Sequence, residues 1–475
     1  MSLSHACSRP GPALTRRAML KKSLGGLASL ALADLLQRDL LGAGPAAPPH
    51  FLTHAPKVKR VILFHMAGGP SQIDLFDPKP LLNKHHGTPL PDSVLQGGTF
   101  AFIPPTAKSM GSPYSFAKHG QCGAELSELL PHLATVADDL TFLRGMQTDE
   151  FNHGTAELFY HTGFRLMGRP TLGAWLSYGL GSENADLPAY VVLNTGMPTA
   201  GEHIWSSGFL PTRHQGVKFR PAADPVLYLS DPAAMRREDR RDVISAVGDL
   251  NRMHHADVGD PEINTRIAQY EMAFRMQASV PELTDLRGEP EHILKLYGVE
   301  LAKPGFARNC LLARRLVERG VRFVQVVDSE WDHHERIFTG LPKKCRQTDQ
   351  PVAALIKDLK QRGLLEDTLV IWGGEFGRTP LAEGKFDPAH AGRDHHRDAF
   401  TMWMAGGGVR RGYTHGGTDD FGFRPTHGAV HMHDLHATIL HLLGIDHTKL
   451  TFRHQGRDFR LTDVHGHVVK EVLAT

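Results

Sequence analysis

Five short apolar runs constrain this chain more than any other feature. They are "RVILFHM" (Arg60 to Met66), "AYVVLN" (Ala189 to Asn194), "VRFVQVV" (Val321 to Val327), "TLVIW" (Thr368 to Trp372) and "FTMWMA" (Phe400 to Ala405). Each is continuous rather than alternating. A strand with one wet face alternates, whereas a continuous run needs apolar cover on both faces, as in a mostly parallel sheet between helices. The segments between them supply those helices. "DQPVAALIKDLKQRG" offers Asp349 as N-cap, a face of Val352, Leu355, Ile356 and Leu359, and Gly363 as the stop. "ARNCLLARRLVERG" and "HDLHATILHLLG" end in the same way at Gly320 and Gly444. Strand, helix and strand at this spacing predict a doubly wound α/β sheet with helices on both faces. The interval 200–300 differs. Its stretch "PEINTRIAQYEMAFRMQASV" puts Ile263, Ile267, Tyr270 and Phe274 at helical spacing toward a core, which predicts a mainly helical insertion.

The N-terminus reads as an address. "TRRAMLKKSLGGLASLALADLL" pairs Arg16 with Arg17, and a modest apolar run from Leu24 is broken by Asp34. It resembles a twin-arginine export signal over 1–46, with Met19 where Phe is usual, leaving 55–475 as the folded domain. The run is about half of the ~20 residues that a span needs, and no other segment is longer and apolar. The sequence leaves cleavage open between Ala33 and "GAGPAAPP". Net charge is +2, so no global field draws the protein to nucleic acid. The four cysteines form no C-x-x-C pair and no disulfide framework, which argues against a thiolate zinc site. The 30 histidines are the compositional signal, because imidazole is the commonest metal ligand.

Ligands bind beyond the carboxyl ends of strands in open α/β sheets. After "RVILFHM" comes "AGGPSQIDLFDPKP", with Ser71, Asp74 and Asp77; Asp77 before Pro78 is the better candidate for Asx-turn chemistry. After "VRFVQVV" comes "SEWDHHERIF", with Asp332, His333 and His334. After "TLVIW" comes "GGEFGRTP", with Glu375 and Arg378, and just before "FTMWMA" comes "AGRDHHRDAF", with Arg393, Asp394, His395 and His396. A single D-H-H run can be surface polarity. Four clusters at or beside buried strands predict one shared metal centre. Acids and imidazoles from separate loops suit Zn²⁺ first, with Ca²⁺, Mg²⁺ or Mn²⁺ as harder alternatives.

The order of these pieces resembles the alkaline phosphatase and sulfatase superfamily. "FTMWMAGGGVRRGYTHGG", "HDLHATILHLLGID" and "NHGTAELFYHTGF" carry that resemblance. Closer still is an exported bacterial family known as domain of unknown function 1501. Its pieces G-G-P-S-x-x-D-x-F-D-P-K-P, W-D-x-H, G-E-F-G-R-T-P and G-R-D-H-H all occur here, at 68–80, 331–334, 374–380 and 392–396.

Carried over, the resemblance implies an alkaline-phosphatase-like fold and metal ligands Asp74, Asp332, His334, Glu375 and His395, with His396 beside them. His153 stands where sulfatases carry the cysteine that becomes formylglycine, and Glu157 where they carry arginine. The D-H-G motif has become Glu375, Phe376, Gly377, which removes one imidazole. A formylglycine sulfatase is therefore excluded. Thr155 is the nearest hydroxyl nucleophile, or else a helix cap. Ser71 is a second hydroxyl, and His153 is itself a candidate ligand.

The expected function is an exported, periplasmic or envelope, metal-dependent hydrolase of phosphate or sulfate esters. Its substrate would be an anionic small-molecule or polysaccharide ester. Water or Thr155 would attack, and Arg378 or Arg393 would meet the developing charge. The alternatives are a non-catalytic binding protein for an anionic glycan or a partner protein, and a metalloenzyme of other chemistry on the same fold.

Overall fold

The first apolar run becomes the middle of the sheet. In the computed structural model, which describes residues 49–474 apart from 97, 99, 221–224 and 227–234, it forms β1 (Arg60–Met66). There follow β2 (Leu140–Gln147), α1 (His153–Thr162), α2 (Leu172–Leu180), β3 (Tyr190–Thr195), β4 (Val217–Phe219), α3 (Arg237–Val258), α4 (Pro261–Thr284), α5 (Glu291–Tyr297), α6 (Phe306–Glu318) and β5 (Phe323–Asp328). The rest of the frame is α7 (Ile337–Gln361), β6 (Thr368–Gly373), β7 (Gly377–Glu383), β8 (Gly392–His396), β9 (Phe400–Gly406), β10 (Tyr413–His415), β11 (Val430–His431) and α8 (Met432–Leu442). Residues Phe51–Thr475 form one unit. The export segment 1–46 lies outside the described residues.

The main sheet runs in the order β10–β2–β9–β6–β1–β5–β3–β4, with β11 also paired to β2. β1 pairs in parallel with β5 and β6, and β3 with β5 and β4. Both faces of β1 are covered. Ile62, Phe64 and Met66 pack with Leu311, Leu312, Val352 and Leu355 of α6 and α7. Val61 and Leu63 pack on the other face with Leu158, Trp175, Leu435 and Ile439 of α1, α2 and α8. That double cover is why the run is continuous.

β9 runs antiparallel to both β6 and β2. Its amino-terminal end therefore lies at the same edge as the carboxyl ends of β1, β5 and β6. Between β6 and β9 the chain makes the antiparallel pair β7–β8, bulged between Arg393 and His395. This reversal brings the "GRDHH" stretch to the edge where "EWDHH" and "GGEFG" already stand.

Three local expectations need correction. Asp349 does not start a helix: α7 begins at Ile337, and the buried Asp349 carboxylate accepts N–H bonds from His132 (2.7 Å) and Leu133 (2.8 Å). Tyr270 of α4 is exposed rather than core-facing, while Met276, Val280 and Leu283 of the same helix are buried. β2 was not expected as a strand, because Arg144 and Gly145 interrupt its apolar run.

The turn after β1 fixes the site. Gly68 and Gly69 hold φ of 120° and 68°. A Cβ on Gly68 would lie 2.3 Å from Asp332 N and 2.6 Å from the Trp331 carbonyl carbon. On the other side a Cβ on Gly392 would lie 2.0 Å from the His334 carbonyl. The Asp332–His334 loop is clasped between two glycines that admit no side chain. Gly68→Ala should cost about 1–3 kcal/mol through strain and overpacking. Urea unfolding at unchanged m checks this, and wild-type stability would show that the clasp does not constrain the loop.

Candidate metal centre

Four side chains from three places in the chain converge beyond the carboxyl edge. His153 opens α1, Asp332 and His334 follow β5, and His395 sits on β8. One ligand atom from each lies within 4.8 Å of the others. His334 Nε2 is 2.8 Å from His395 Nε2 and 3.0 Å from Asp332 Oδ1. His153 Nε2 is 3.2 Å from Asp332 Oδ2, and His395 Nε2 is 3.5 Å from Asp332 Oδ1. Ligands at 2.0–2.2 Å around a tetrahedral zinc ion would stand about 3.3–3.5 Å apart. The set is close to that geometry.

The outward nitrogens decide the tautomers. His395 Nδ1 donates to Phe151 O at 2.6 Å, and a carbonyl only accepts. His153 Nδ1 donates to Glu375 Oε1 (2.6 Å), and His334 Nδ1 to Glu383 Oε2 (2.5 Å). Each imidazole is thus protonated on its outer nitrogen and turns Nε2 inward. Partners of this kind orient metal-bound histidines. His153 Nε2 is buried without hydrogen-bond geometry to any acceptor, although Asp332 is near. An inward nitrogen without a hydrogen-bond partner, close to a carboxylate, fits a divalent cation.

Charge at the centre fits the same ion. Asp332, Glu375 and Glu383 bring three carboxylates against one guanidinium, Arg378, whose Nη2 lies 2.5 Å from Asp332 Oδ1. That leaves two negative charges, and the buried carboxylate of Asp394, grouped with His334 and Glu383, adds a third. Burial alone would lower His153 and His334, but Asp332 outweighs it, with Glu375 behind the first and Glu383 behind the second, and raises both to about 9. Burial likewise works against Asp332, yet the three histidines and Arg378 hold its carboxyl far below the usual range. Imidazolium protons or a divalent ion offset that excess.

The other expected site residues lie outside this group of four. Glu375 sits behind His153, fully buried. It accepts from Gly68 N (2.9 Å), His153 Nδ1 (2.6 Å) and His65 Nε2 (3.2 Å); burial pushes its carboxyl up, but the two histidines outweigh that and hold it low. Asp74 is paired with Arg393 (Nε to Oδ2 2.8 Å) and takes the Ser71 hydroxyl (2.6 Å). Arg393 also donates to Met110 O at 2.7 Å. Arg378 donates to the carbonyls of Gly69 (2.9 Å), Arg393 (2.8 Å) and Gly68 as well as to Asp332. His396 bonds Phe423 O at 2.8 Å and stacks on that ring. Thr155 is half-buried at the start of α1, its hydroxyl donating to Asn152 O at 3.1 Å. His333 is buried and lowered to about 4, chiefly by that burial.

Several contributors carry no sequence signal of their own. Glu383 closes β7 as the last letter of an ordinary strand, and Phe151 acts through its backbone. His65 lies inside the first apolar run, where one polar residue among aliphatics was the available hint. It extends the network inward: His161 Nε2 donates to His65 Nδ1 at 3.1 Å. A second grouping of His65, Glu157 and Glu375 is wholly buried. There Glu157 is already bonded to Thr199 N (3.1 Å) and Ala200 N (2.6 Å).

Fold and site together define an α/β protein with a candidate metal centre beyond the carboxyl edge of a mostly parallel sheet. The chain belongs to the family described as Protein of unknown function (DUF1501), whose model it matches over residues 58–473. Among solved structures it is similar to the PsFucS1 sulfatase from Pseudoalteromonas sp. (12% identity, 85% of this chain and 74% of that one, TM-score 0.35). It is also similar to the lipoteichoic acid synthase LtaP from Listeria monocytogenes (9% identity, 89% and 79%, TM-score 0.34). A third is the alkaline phosphatase from the Antarctic bacterium TAB5 (10% identity, 74% and 92%, TM-score 0.31). No curated protein matches the chain. Among the described residues, no helix is long and apolar enough to cross a membrane.

Zn²⁺ titrated into metal-free protein near pH 7.5 should release about two protons per ion, declining as pH passes about 9. Calorimetry in buffers of different ionisation enthalpy reads this, and a pH-independent release would contradict it. The sign also fixes apo stability. The raised pair contributes stability that is full below about pH 6.5 and is lost as pH rises through about 9. Separately, Glu375→Gln should weaken zinc binding about 10–100-fold while the protein stays folded; unchanged affinity by chelator competition would show that Glu375 does not orient His153.

Proposed function

We propose that this protein is a metal-dependent hydrolase of phosphate or sulfate esters, with Zn²⁺ as the resident ion. The observation that carries the reading is the convergence of three inward imidazole Nε2 atoms and one carboxylate, each imidazole held from behind. A nitrogen-rich set favours zinc over calcium and magnesium, which take oxygen. When bound, such an ion supplies Lewis acidity to an ester oxygen and to an attacking water.

The chain's own residues do the rest. His153, Asp332, His334 and His395 hold the ion. Asp332 is 40% exposed at its side chain, which supports an open rather than a closed site. α1 begins at His153 with no side-chain cap, so its first-turn N–H groups and positive dipole end stand beside the centre and favour an anion. Water is the attacking group in this reading, because the Thr155 proton is committed to Asn152 O and the Ser71 hydroxyl to Asp74. Arg378 and Arg393 position the loops, since carbonyls and carboxylates occupy their guanidiniums.

The charge balance narrows the substrate. A divalent ion at most offsets the carboxylates around it, so a monoanionic ester adds one uncompensated charge and a dianion two. Sulfate monoesters and phosphodiesters therefore suit it better than phosphate monoesters. The substrate is an anionic small-molecule or polysaccharide ester. The twin-arginine pattern at Arg16 and Arg17 supports export of the folded, metal-loaded chain to the periplasm or cell envelope.

A panel of 4-nitrophenyl sulfate, bis(4-nitrophenyl) phosphate and 4-nitrophenyl phosphate tests the reading. Zinc-loaded protein should turn over the first two faster than the third, and chelation should abolish turnover. Asp332→Ala and His395→Ala should lower kcat/KM by about two orders of magnitude or more, and Thr155→Ala by less than about threefold. Turnover indifferent to Asp332 and His395 would remove the metal centre. A zinc-loaded protein that turns over none of the three would favour the binding-protein alternative.

A further inference from the structure

One large apolar side chain at the metal centre is left in solvent. Phe102 is 61% exposed. Its ring centroid lies 5.6 Å from that of His334 and 5.5 Å from that of His395, both edge-to-face. Those are two of the four converging side chains. Phe376 touches the same histidine, 4.4 Å from His395, yet it is buried and packs as an ordinary core ring. Phe102 does no such packing.

Phe102 is nevertheless held in place. The backbone N–H groups of Ala101 (3.2 Å), Phe102 (2.9 Å) and Ile103 (3.3 Å) all donate to Oδ2 of Asp394. Asp394 is fully buried, and its other oxygen accepts the His395 N–H at 2.8 Å. On either side Phe100 packs against Phe423, and Ile103 is buried with Leu82, Leu90 and Leu381. One carboxylate thus ties a ligand-bearing strand to the segment that displays the ring. Folding alone gives no reason to fix an exposed aromatic beside polar ligands, since apolar surface gains by burial. A ring fixed at a polar centre instead offers a face against which a second ring can pack at little entropic cost.

We propose that Phe102 is the specificity-determining platform for the alcohol portion of the substrate, and that this alcohol carries a ring with an apolar face. A sugar ring offers C–H faces and an aryl group a π face, and both fit this chemistry. The inference rests on the ester-hydrolase reading and names the substrate class within it.

Binding of non-hydrolysable monoanions to zinc-loaded protein tests it. Benzenesulfonate and cyclohexanesulfonate present a ring, and methanesulfonate presents none. The wild type should bind at least one ring sulfonate about tenfold more tightly than methanesulfonate. In Phe102→Ala the affinity ratio should fall to about one, and Phe102→Trp should keep it. A preference for the cyclohexyl compound points to a sugar-like face, and one for the phenyl compound to an aryl group. Zinc content and thermal melting of each variant show that the centre and fold persist. A ratio near one in the wild type, or a ratio that survives Phe102→Ala, overturns the platform and leaves the hydrolase reading standing. Failure of every sulfonate to bind overturns both.

Discussion

Two imidazole nitrogens 2.8 Å apart, each on a ring whose other nitrogen already carries a proton, cannot face one another as bare lone pairs. Positive charge must lie on one of them or between them. His395 and His334 are in that position, and much of the surrounding structure serves to keep them there. Phe151 and Glu383 fix the outer nitrogens, and the two glycines fix the loop that carries His334. Arg378 joins the β1 turn, the Asp332 loop and β8 through one guanidinium. A buried, fully bonded guanidinium is weak evidence for stability, because its desolvation offsets most of what its bonds contribute. Its effect here is geometric: three separate backbone segments are held at fixed distances around one carboxylate.

The fold was largely legible because its signal is collective. Each of the five strands rests on several apolar residues, so losing one letter changes little. The position of the functional loops was also legible, since it follows from where strands end. What the sequence did not reveal was direction. Nothing in "FTMWMA" says that β9 runs against its neighbours, yet that reversal puts the histidines that precede it, rather than residues after it, at the working edge.

The pairing of individual side chains was less legible still. Asp74, Asp332 and Glu375 look alike in sequence, each an acid in a glycine-rich or histidine-rich loop. The structure gives them different partners: a guanidinium for Asp74, three imidazoles for Asp332, and two imidazoles with a backbone N–H for Glu375. The third imidazole comes from His153, which opens α1 after β2. Asp349 shows the same limit in the scaffold. Its carboxylate accepts the N–H groups of His132 and Leu133 in a distant segment rather than capping the helix that its position suggested.

The centre's charge explains why the two states of the site can share one geometry. Carboxylates outnumber the one guanidinium in a half-buried volume, and such an excess of negative charge is costly unless compensated. Without metal, protons on His153 and His334 offset it, the inward nitrogens lying 3.2 and 3.0 Å from Asp332. A divalent ion would replace those protons, held by the same nitrogens. Exchange of two protons for one dication changes neither the net charge nor the direction in which any ring must point. The outer hydrogen bonds to Glu375, Glu383 and Phe151 would not need to change. The scaffold would thus already be organised for such an ion, and binding would need no rearrangement of the loops.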